Sequence, residues 1–301
     1  MPAGTTLSSD WAALLTPGLK DIFDVTVDSM EGKSMIDALY GVDSSEKAAE
    51  DILEEGDVEN FEPFTGSVSY SGTSQGYSKT LTHVTYAKGM SIERELVEDD
   101  LYGKIKDKPR KLAMSASRRR ESDGASLFNN AATTVNTGGD TLALGSSAHT
   151  SNVGGSNQSN LGTTALTPTS LETARQAMIN FKSNKDNVLD VMPSLILVPL
   201  ALEQTAWQIV QSKGDSASAL NTANFMYQRF KVVPWKRLTD SNNWFLIDEE
   251  LAKLYLKWYD RTGVEFFKDT DFDTFIAKYA GRMRYSFGFN EWRWIYVNSV
   301  T

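Results

Sequence analysis

Apolar and polar residues fall into blocks of different period along the chain, and each block predicts a different element. Residues 1 to 42 hold two short apolar pieces, Trp11–Leu15 and Leu19–Val27, separated by Pro17 and Gly18. That is too little for a separate core, so this segment reads as an arm that packs on something else. From Asp43 to Glu62 the chain is acidic, with Lys47 as the one counter-charge, and reads as a linker or a solvated helix face. Phe61 to Met90 changes period. Gly66, Gly72 and Gly76 lie among Ser, Thr and Tyr, and Lys79–Tyr86 is rich in β-branched and aromatic residues. A two-stranded excursion with a glycine-rich tip is predicted. An isolated hairpin is marginally stable in water, so this one needs a neighbour to dock on.

Ser91 to Ala132 has the period of a helix. Ser91 can cap it, the acidic run Glu93–Asp100 suits the early turns, and Pro109 predicts a kink or a second helix. Arg110–Asn130 is amphipathic, with Leu112, Ala116, Arg119, Asp123 and Leu127 at helical spacing. Thr133–Thr167 is a long Gly/Ser/Thr/Asn-rich connection, a kind usually functional or mobile. A helix capped by Thr169 or Ser170 then runs to about Ser183, with Leu171, Ala174, Ala177, Met178 and Phe181 on one face. Ser194–Pro199 predicts a buried strand and Ala201–Gln211 a helix. Val232–Pro234, Trp244–Ile247, Leu254–Tyr259 and Val264–Phe267 predict further strands. In Phe272–Val300, Met283, Tyr285, Phe287 and Phe289 alternate with Arg282, Arg284, Ser286 and Gly288. That is a long strand with one buried face, continued by Trp292, Trp294 and Tyr296 after a turn near Asn290–Glu291.

Composition adds limits. The 301 residues are 41% hydrophobic and 23% charged, an ordinary globular balance for one large domain or two smaller ones. A net charge of -9 repels phosphate backbones, which disfavours a nucleic-acid reader but permits a passive wall around DNA. With no cysteine, disulfides and cysteine zinc sites are excluded. No apolar run is long enough to span a bilayer, and Met1–Trp11 lacks the features of a secretory signal, so a cytoplasmic origin is expected.

Candidate chemistry is sparse. Gly-Xaa-Ser-Xaa-Gly is absent. His83, on a predicted strand, reads as a surface residue, and His149 in its Ser/Thr loop is a weak general base for a hydrolase. Asp269, Asp271 and Asp273 alternate but lack the glycine and terminal glutamate of a calcium loop, and read as a solvated turn. No phosphate-cradling loop occurs, and no catalytic, metal or cofactor-binding residue is assigned. What remains is a pair of opposed charge blocks. Lys104, Lys106, Lys108, Arg110, Lys111 and Arg118–Arg120 form the basic one, and Asp43–Glu62 the acidic one. The basic block could be a solvated helix face or a contact with DNA phosphates. Pairing of the two blocks, within the chain or between copies, is the favoured reading, because each copy supplies both halves of a repeated contact. The expected subunit-interface residues are Glu50, Asp51, Glu54, Glu55, Arg110, Arg118, Arg119 and Arg120, with Tyr77 and Lys79 in the excursion.

Several stretches also carry a family resemblance. Tyr86–Leu101 resembles the junction at which an extended loop returns into a long spine helix, and Glu121–Asn130 the end of that helix. Asp140–Gly145, Ala148–His149, Ser159–Leu161 and Ala165–Thr167 resemble the loop that follows, Ser170–Ala174 the next helix start, and Pro193–Pro199 a central axial strand. In this order, over Phe61–Thr301, the chain resembles major capsid proteins of tailed bacteriophages with the Hong Kong 97 type fold, particularly the Mu-like major head subunit group. The resemblance implies an α+β fold. Residues 1–60 would be an N-terminal arm and acidic segment, 61–90 an extended β-hairpin loop, and 91–167 a peripheral domain with spine helix and long loop. Residues 168–262 would be mainly an axial domain with a central mixed sheet, and 263–301 C-terminal strands returning to both sheets. It further implies a non-enzymatic subunit, without cofactor, that forms hexamers and pentamers. These would close an icosahedral virion head around double-stranded DNA, assembled in the host bacterial cytoplasm. Portal and separate scaffold or decoration proteins would be partners, and no membrane. Many relatives carry a long cleaved scaffolding segment; the short start at Met1 points to a separate scaffold or none. An encapsulin-like nanocompartment shell is the alternative, and a tail or decoration protein is less favoured.

Overall fold

The structure is a computed structural model and describes residues 11–300 except 69, 71, 94, 96–98, 100–102, 215–222 and 272–275. The reading of Met1–Trp11 therefore lies almost wholly outside the described residues, as do most of the acidic run Glu93–Asp100 and Asp273.

Helix α1 (Trp11–Glu31) runs through Pro17 instead of breaking there. An interior proline costs a helix about 3 kcal/mol. Leu19 and Phe23 are buried on one stripe with half-buried Val27, and burying each large apolar side chain returns roughly 1.5–3 kcal/mol. The stripe outweighs the proline. What it packs on is the chain's own body, with Phe23 5.0 Å from Phe266, ring centre to ring centre.

Short helix α2 (Met35–Leu39), capped by Ser34, leads into β1 (Gly41–Ser44) and β2 (Ala49–Glu55). The acidic stretch is thus neither linker nor helix face. Glu50, Ile52 and Glu54 are half-buried while Asp51, Leu53 and Glu55 face out, a period of two that charge conceals in the sequence. β2 pairs antiparallel with β3 (Gln75–Thr82), so the hairpin starts at Ala49 and its outgoing strand is the acidic segment itself. β4 (Val84–Glu93) then contains Ser91, which pairs with Lys278 in a sheet and caps no helix. Helix α3 (Asp107–Asn129) takes Pro109 in its first turn. The missing N–H there has no intrahelical partner in any case, so no kink follows. Helix α4 (Pro168–Ile179) is capped by Thr167, not by Thr169 or Ser170: Thr167 and Ser170 exchange side-chain-to-backbone bonds around Pro168 at the first helical position.

β9 (Leu256–Asp271) and β10 (Ile276–Phe289) form the long antiparallel pair of a four-stranded sheet ordered β1-β9-β10-β4. Leu254 and Tyr255, expected in a strand, end helix α6 (Glu249–Tyr255), and Asp269 and Asp271 lie in β9, not in a solvated turn. A five-stranded mixed sheet is ordered β5-β11-β8-β6-β7. Its strands are β5 (Leu161–Gly162), β6 (Leu195–Val198), β7 (Lys231–Pro234), β8 (Trp244–Ile247) and β11 (Ile295–Asn298). β6 and β8 are buried at every position, which is why they read as continuous apolar runs. Helix α5 (Glu203–Gln211) packs its Ala206, Ile209 and Val210 on this second sheet's core.

Candidate interaction surfaces

Helix α3 is clamped to the long sheet by arginine and aromatic side chains. Tyr86, Tyr285, Trp258 and Phe287 stack in series across β4, β10 and β9, at 5.0, 4.6 and 5.3 Å. Arg119 lies 4.6 Å over Tyr86 and Arg120 lies 5.2 Å over Trp258. Arg120 also makes a two-pronged ion pair with Asp260, at 2.8 and 2.9 Å. Arg119 pairs with Asp123, which accepts a 2.6 Å bond from the Tyr285 hydroxyl. Two of the expected interface arginines are therefore partnered inside the chain, with carboxylates outside the acidic block. Arg110 pairs with Asp107 at 3.0 Å, whereas Arg118 is exposed and engaged by no ion pair among the described residues.

The root of the β2–β3 hairpin is a second polar centre. Glu54 sits at a register shift of β2, accepts a bond from the Tyr77 N–H at 3.1 Å and faces Arg293 at 3.9 Å. Arg293 pairs more closely with Glu291, at 2.6 Å. Burial, the charge of Glu291 and that of Asp140 raise the Glu54 pKa above 4.5, against the pull of the Tyr77 N–H and Arg293. Asn290 donates to the Tyr77 carbonyl at 3.2 Å. The Lys79 ammonium donates to the Thr137 carbonyl and lies 5.2 Å from the Phe289 ring centre, and burial lowers its pKa. Tyr77, Lys79 and Glu54, expected at a subunit interface, thus fasten the hairpin to its own body. Glu50 bonds Ser45 and Lys47 of its own chain. Asp51 and Glu55 are exposed.

Beyond the root the hairpin changes character. Asp57 and Glu59 lean on the segment 183–187, through Asn184, Asn187 and Lys185. Past them Phe61 and Tyr70 are almost wholly exposed, and Phe64 and Val68 largely so. Apolar groups grouped this way mark a contact surface.

Both histidines are buried. His83 is 5% exposed, with its Nε2 3.0 Å from the Ser45 hydroxyl and its Nδ1 without a partner. Burial, with Arg284 and Arg261 nearby, lowers its pKa. The surface role expected for it is corrected by its place between Ser45 and Arg284, at the seam where β3 passes into β4. His149 stacks on Trp292 at 4.3 Å. Its Nδ1 meets Asp140 at 2.6 Å and its Nε2 meets the Asn160 carbonyl oxygen at 3.1 Å. The Asn160 amide donates to the carbonyls of Leu144 and Ile295, which fixes its oxygen toward the imidazole. Neither ring nitrogen is left to take a proton from a substrate, so the arrangement ties the long connection to β11 and performs no base catalysis. Sequence reasoning missed Asp140, Asn160, Arg293 and Glu121. Glu121 accepts from the Ser34 hydroxyl, the Met35 N–H and the Trp235 indole, at 2.7, 3.0 and 3.1 Å. Its only signal was a lone acid after three arginines. No cluster of described residues could hold a metal ion, and no described helix is long and apolar enough to cross a membrane.

A family described as phage capsid protein matches residues 76–298. No curated protein matches the chain. Among solved structures, the capsid of bacteriophage JBD30 is similar at 15% identity and a TM-score of 0.55, over 68% of this chain and 91% of that one. The mature capsid of bacteriophage PhiM1 aligns at 10% identity and a TM-score of 0.60, over 89% and 87%. The capsid of cyanophage P-SCSP1u aligns at 9% identity and a TM-score of 0.59, over 89% and 88%. At such identities the likeness speaks to fold alone, and the α+β fold expected from the resemblance is the fold observed.

Proposed function

The chain belongs to the phage capsid protein family, and from that premise we propose that it is the major head subunit, which forms hexamers and pentamers and closes an icosahedral shell around double-stranded DNA. The observation that carries the reading is the hairpin: an apolar tip, with Phe61 and Tyr70 bare to solvent, projects from a root secured by Glu54, Tyr77 and Lys79. A tip so exposed in one copy is covered when copies meet. The same geometry carries no catalytic centre into the proposal, and an encapsulin-like compartment is not favoured by the family match. Of the expected interface residues, Asp51, Glu55, Arg110 and Arg118 are exposed and face neighbours in this reading. Portal and scaffold or decoration proteins would complete the head, the shell would form in the bacterial cytoplasm, and packaged DNA would meet it only loosely, as the net charge of -9 requires.

The test is expression of the chain followed by sedimentation and negative-stain electron microscopy across a salt series. Shells that form at low salt and weaken in high salt support charge-guided contacts. Assembly indifferent to salt would remove the charge blocks from the account.

A further inference from the structure

The face of the long sheet turned away from α3 carries two half-buried arginines without a counter-charge. β9 bulges against β10: Tyr285 pairs with Asp260 and Arg284 with Thr262, so Arg261 is the extra residue between them. A bulge re-aims a side chain, and bulges gather beside functional sites. Asp260 is turned toward α3, where Arg120 takes both its oxygens. Tyr285 also faces α3, bonded to Asp123, so its neighbours Arg284 and Ser286 fall on the opposite face. His83 stands across from Ser286, one step beyond the Tyr285–Val84 pair. Arg284 and Arg261 both act electrostatically on His83. Among the described residues no ion pair engages either arginine. Glu50, the carboxylate that acts on His83, is already held by Ser45 and Lys47.

Polar atoms are stranded at the same place. Arg284 Nε, the Ser286 hydroxyl and His83 Nδ1 are buried without a partner; Ser286 and His83 are each 5% exposed. The protons can be placed. A carboxylate only accepts, so the Ser45 hydroxyl donates to Glu50 at 2.7 Å, and its oxygen accepts from the Lys47 N–H and from His83 Nε2 at 3.0 Å. The neutral ring therefore carries its proton on Nε2 and leaves Nδ1 bare beneath positive charge. Charges drawn out of water require a partner. A water molecule would answer the Ser286 hydroxyl but not the two guanidinium groups; an anion answers both.

We propose that Arg261, Arg284 and Ser286 form a seat for one phosphate group, gripped by guanidiniums from adjacent strands over the Ser286 hydroxyl. One guanidinium fork satisfies a carboxylate, as Arg120 does for Asp260. Two forks and a hydroxyl offer more donors than a planar carboxylate aligns with and suit a tetrahedral oxyanion. The phosphate is either the free ion or one link of a nucleic-acid backbone. On a chain of net charge -9 a single seat gives a point hold and no extended track. The seat stands independently of the shell reading.

Thermal unfolding of the full chain, in phosphate and in chloride at equal ionic strength, tests it. Phosphate also stabilises proteins by exclusion from their surface, so the response that counts is the saturable part. A rise of about 4 °C is expected at a hundred times the Kd for a chain of this size. Arg261→Gln and Arg284→Gln should each lose that part. No saturable rise, an equal rise in both variants, or an equal rise with acetate would overturn the seat. Should both variants fail to fold, calorimetric titration of the unsubstituted chain decides: one phosphate bound per copy supports the seat, and no binding overturns it. A short DNA duplex then separates the sources. If the duplex binds, is displaced by phosphate at constant ionic strength and is lost in Arg261→Gln, the seat takes a backbone phosphate. If the duplex fails to bind while the phosphate response persists, the seat takes the free ion.

Discussion

A buried carboxylate that holds its proton more tightly in the fold than in the unfolded chain makes stability depend on pH in a defined direction. Glu54 is such a group, its pKa raised above 4.5 first by burial and then by Glu291. The folded state then binds more protons than the unfolded one, so stability rises as pH falls through the raised value. Above that value the charged Glu54 is a cost to the hairpin root; below 4.5 both states are protonated and the pH effect ends. Glu54→Gln should therefore raise the Tm at pH 8, because its amide oxygen still accepts from the Tyr77 N–H. The gain should shrink as the pH approaches 4.5. Thermal unfolding across that range checks this, and a Tm lowered equally at every pH would show that Glu54 is held chiefly by Arg293. At the same scale, Asp140→Ala strips a buried hydrogen-bond partner from His149, and leaving a buried polar group unsatisfied costs roughly 1–3 kcal/mol. Chemical denaturation should register that loss. His149→Ala, tested alongside, should leave any assembled shells closed if they form, as expected of a residue that ties a loop and serves no reaction.

At the scale of elements, helix α3 and the long β9–β10 pair act as one plate because Arg120 reaches Asp260 with two bonds while covering Trp258. Arg120→Ala should destabilise the chain by about 3 kcal/mol, and Arg120→Lys should recover little, since an ammonium cannot make the paired contact. A denaturant midpoint for Arg120→Lys close to the unsubstituted chain would contradict this. The plate also shows what was legible in the sequence. The alternation Met283–Tyr285 against Arg282–Arg284 announced β10, and the helical spacing of Leu112, Asp123 and Leu127 announced α3. Local pattern misled where a long-range partner decided the outcome. Pro17 looked like a break, but the Leu19–Phe23 stripe has α3 and β9 to bury against. The acidic residues of β2 looked like a linker because charge hid a strand whose pairing partner lies beyond Gly72. Ser91 looked like a cap because nothing local reveals its partner Lys278. The same limit applied to the surfaces. The basic block was visible as composition, but nothing local shows that Arg119 and Arg120 are taken up by Asp123 and Asp260 while the exposed Arg118 has no ion pair among the described residues, a division set by the helix's 3.6-residue turn against the sheet. The root of the hairpin, built from Glu54, Asp140 and Arg293, joins three distant segments and had no sequence signal.

For the whole molecule, the body is complete and the hairpin tip is not. Its cores are closed around Trp244, Trp258 and Trp294, while Phe61, Phe64 and Tyr70 find no cover in one copy. Replacing residues 61–73 by a short glycine turn should therefore leave the stability of the isolated chain within about 1 kcal/mol, as for exposed positions, and yet abolish shell formation. A shortened chain that still closes shells would remove the hairpin from the assembly mechanism. The central claim, that this is a shell subunit of the phage capsid family, is tested most directly by negative-stain electron microscopy of the expressed protein over a range of salt and concentration. Closed icosahedral particles built from the chain alone are the predicted result. A folded monomer under every condition would contradict it.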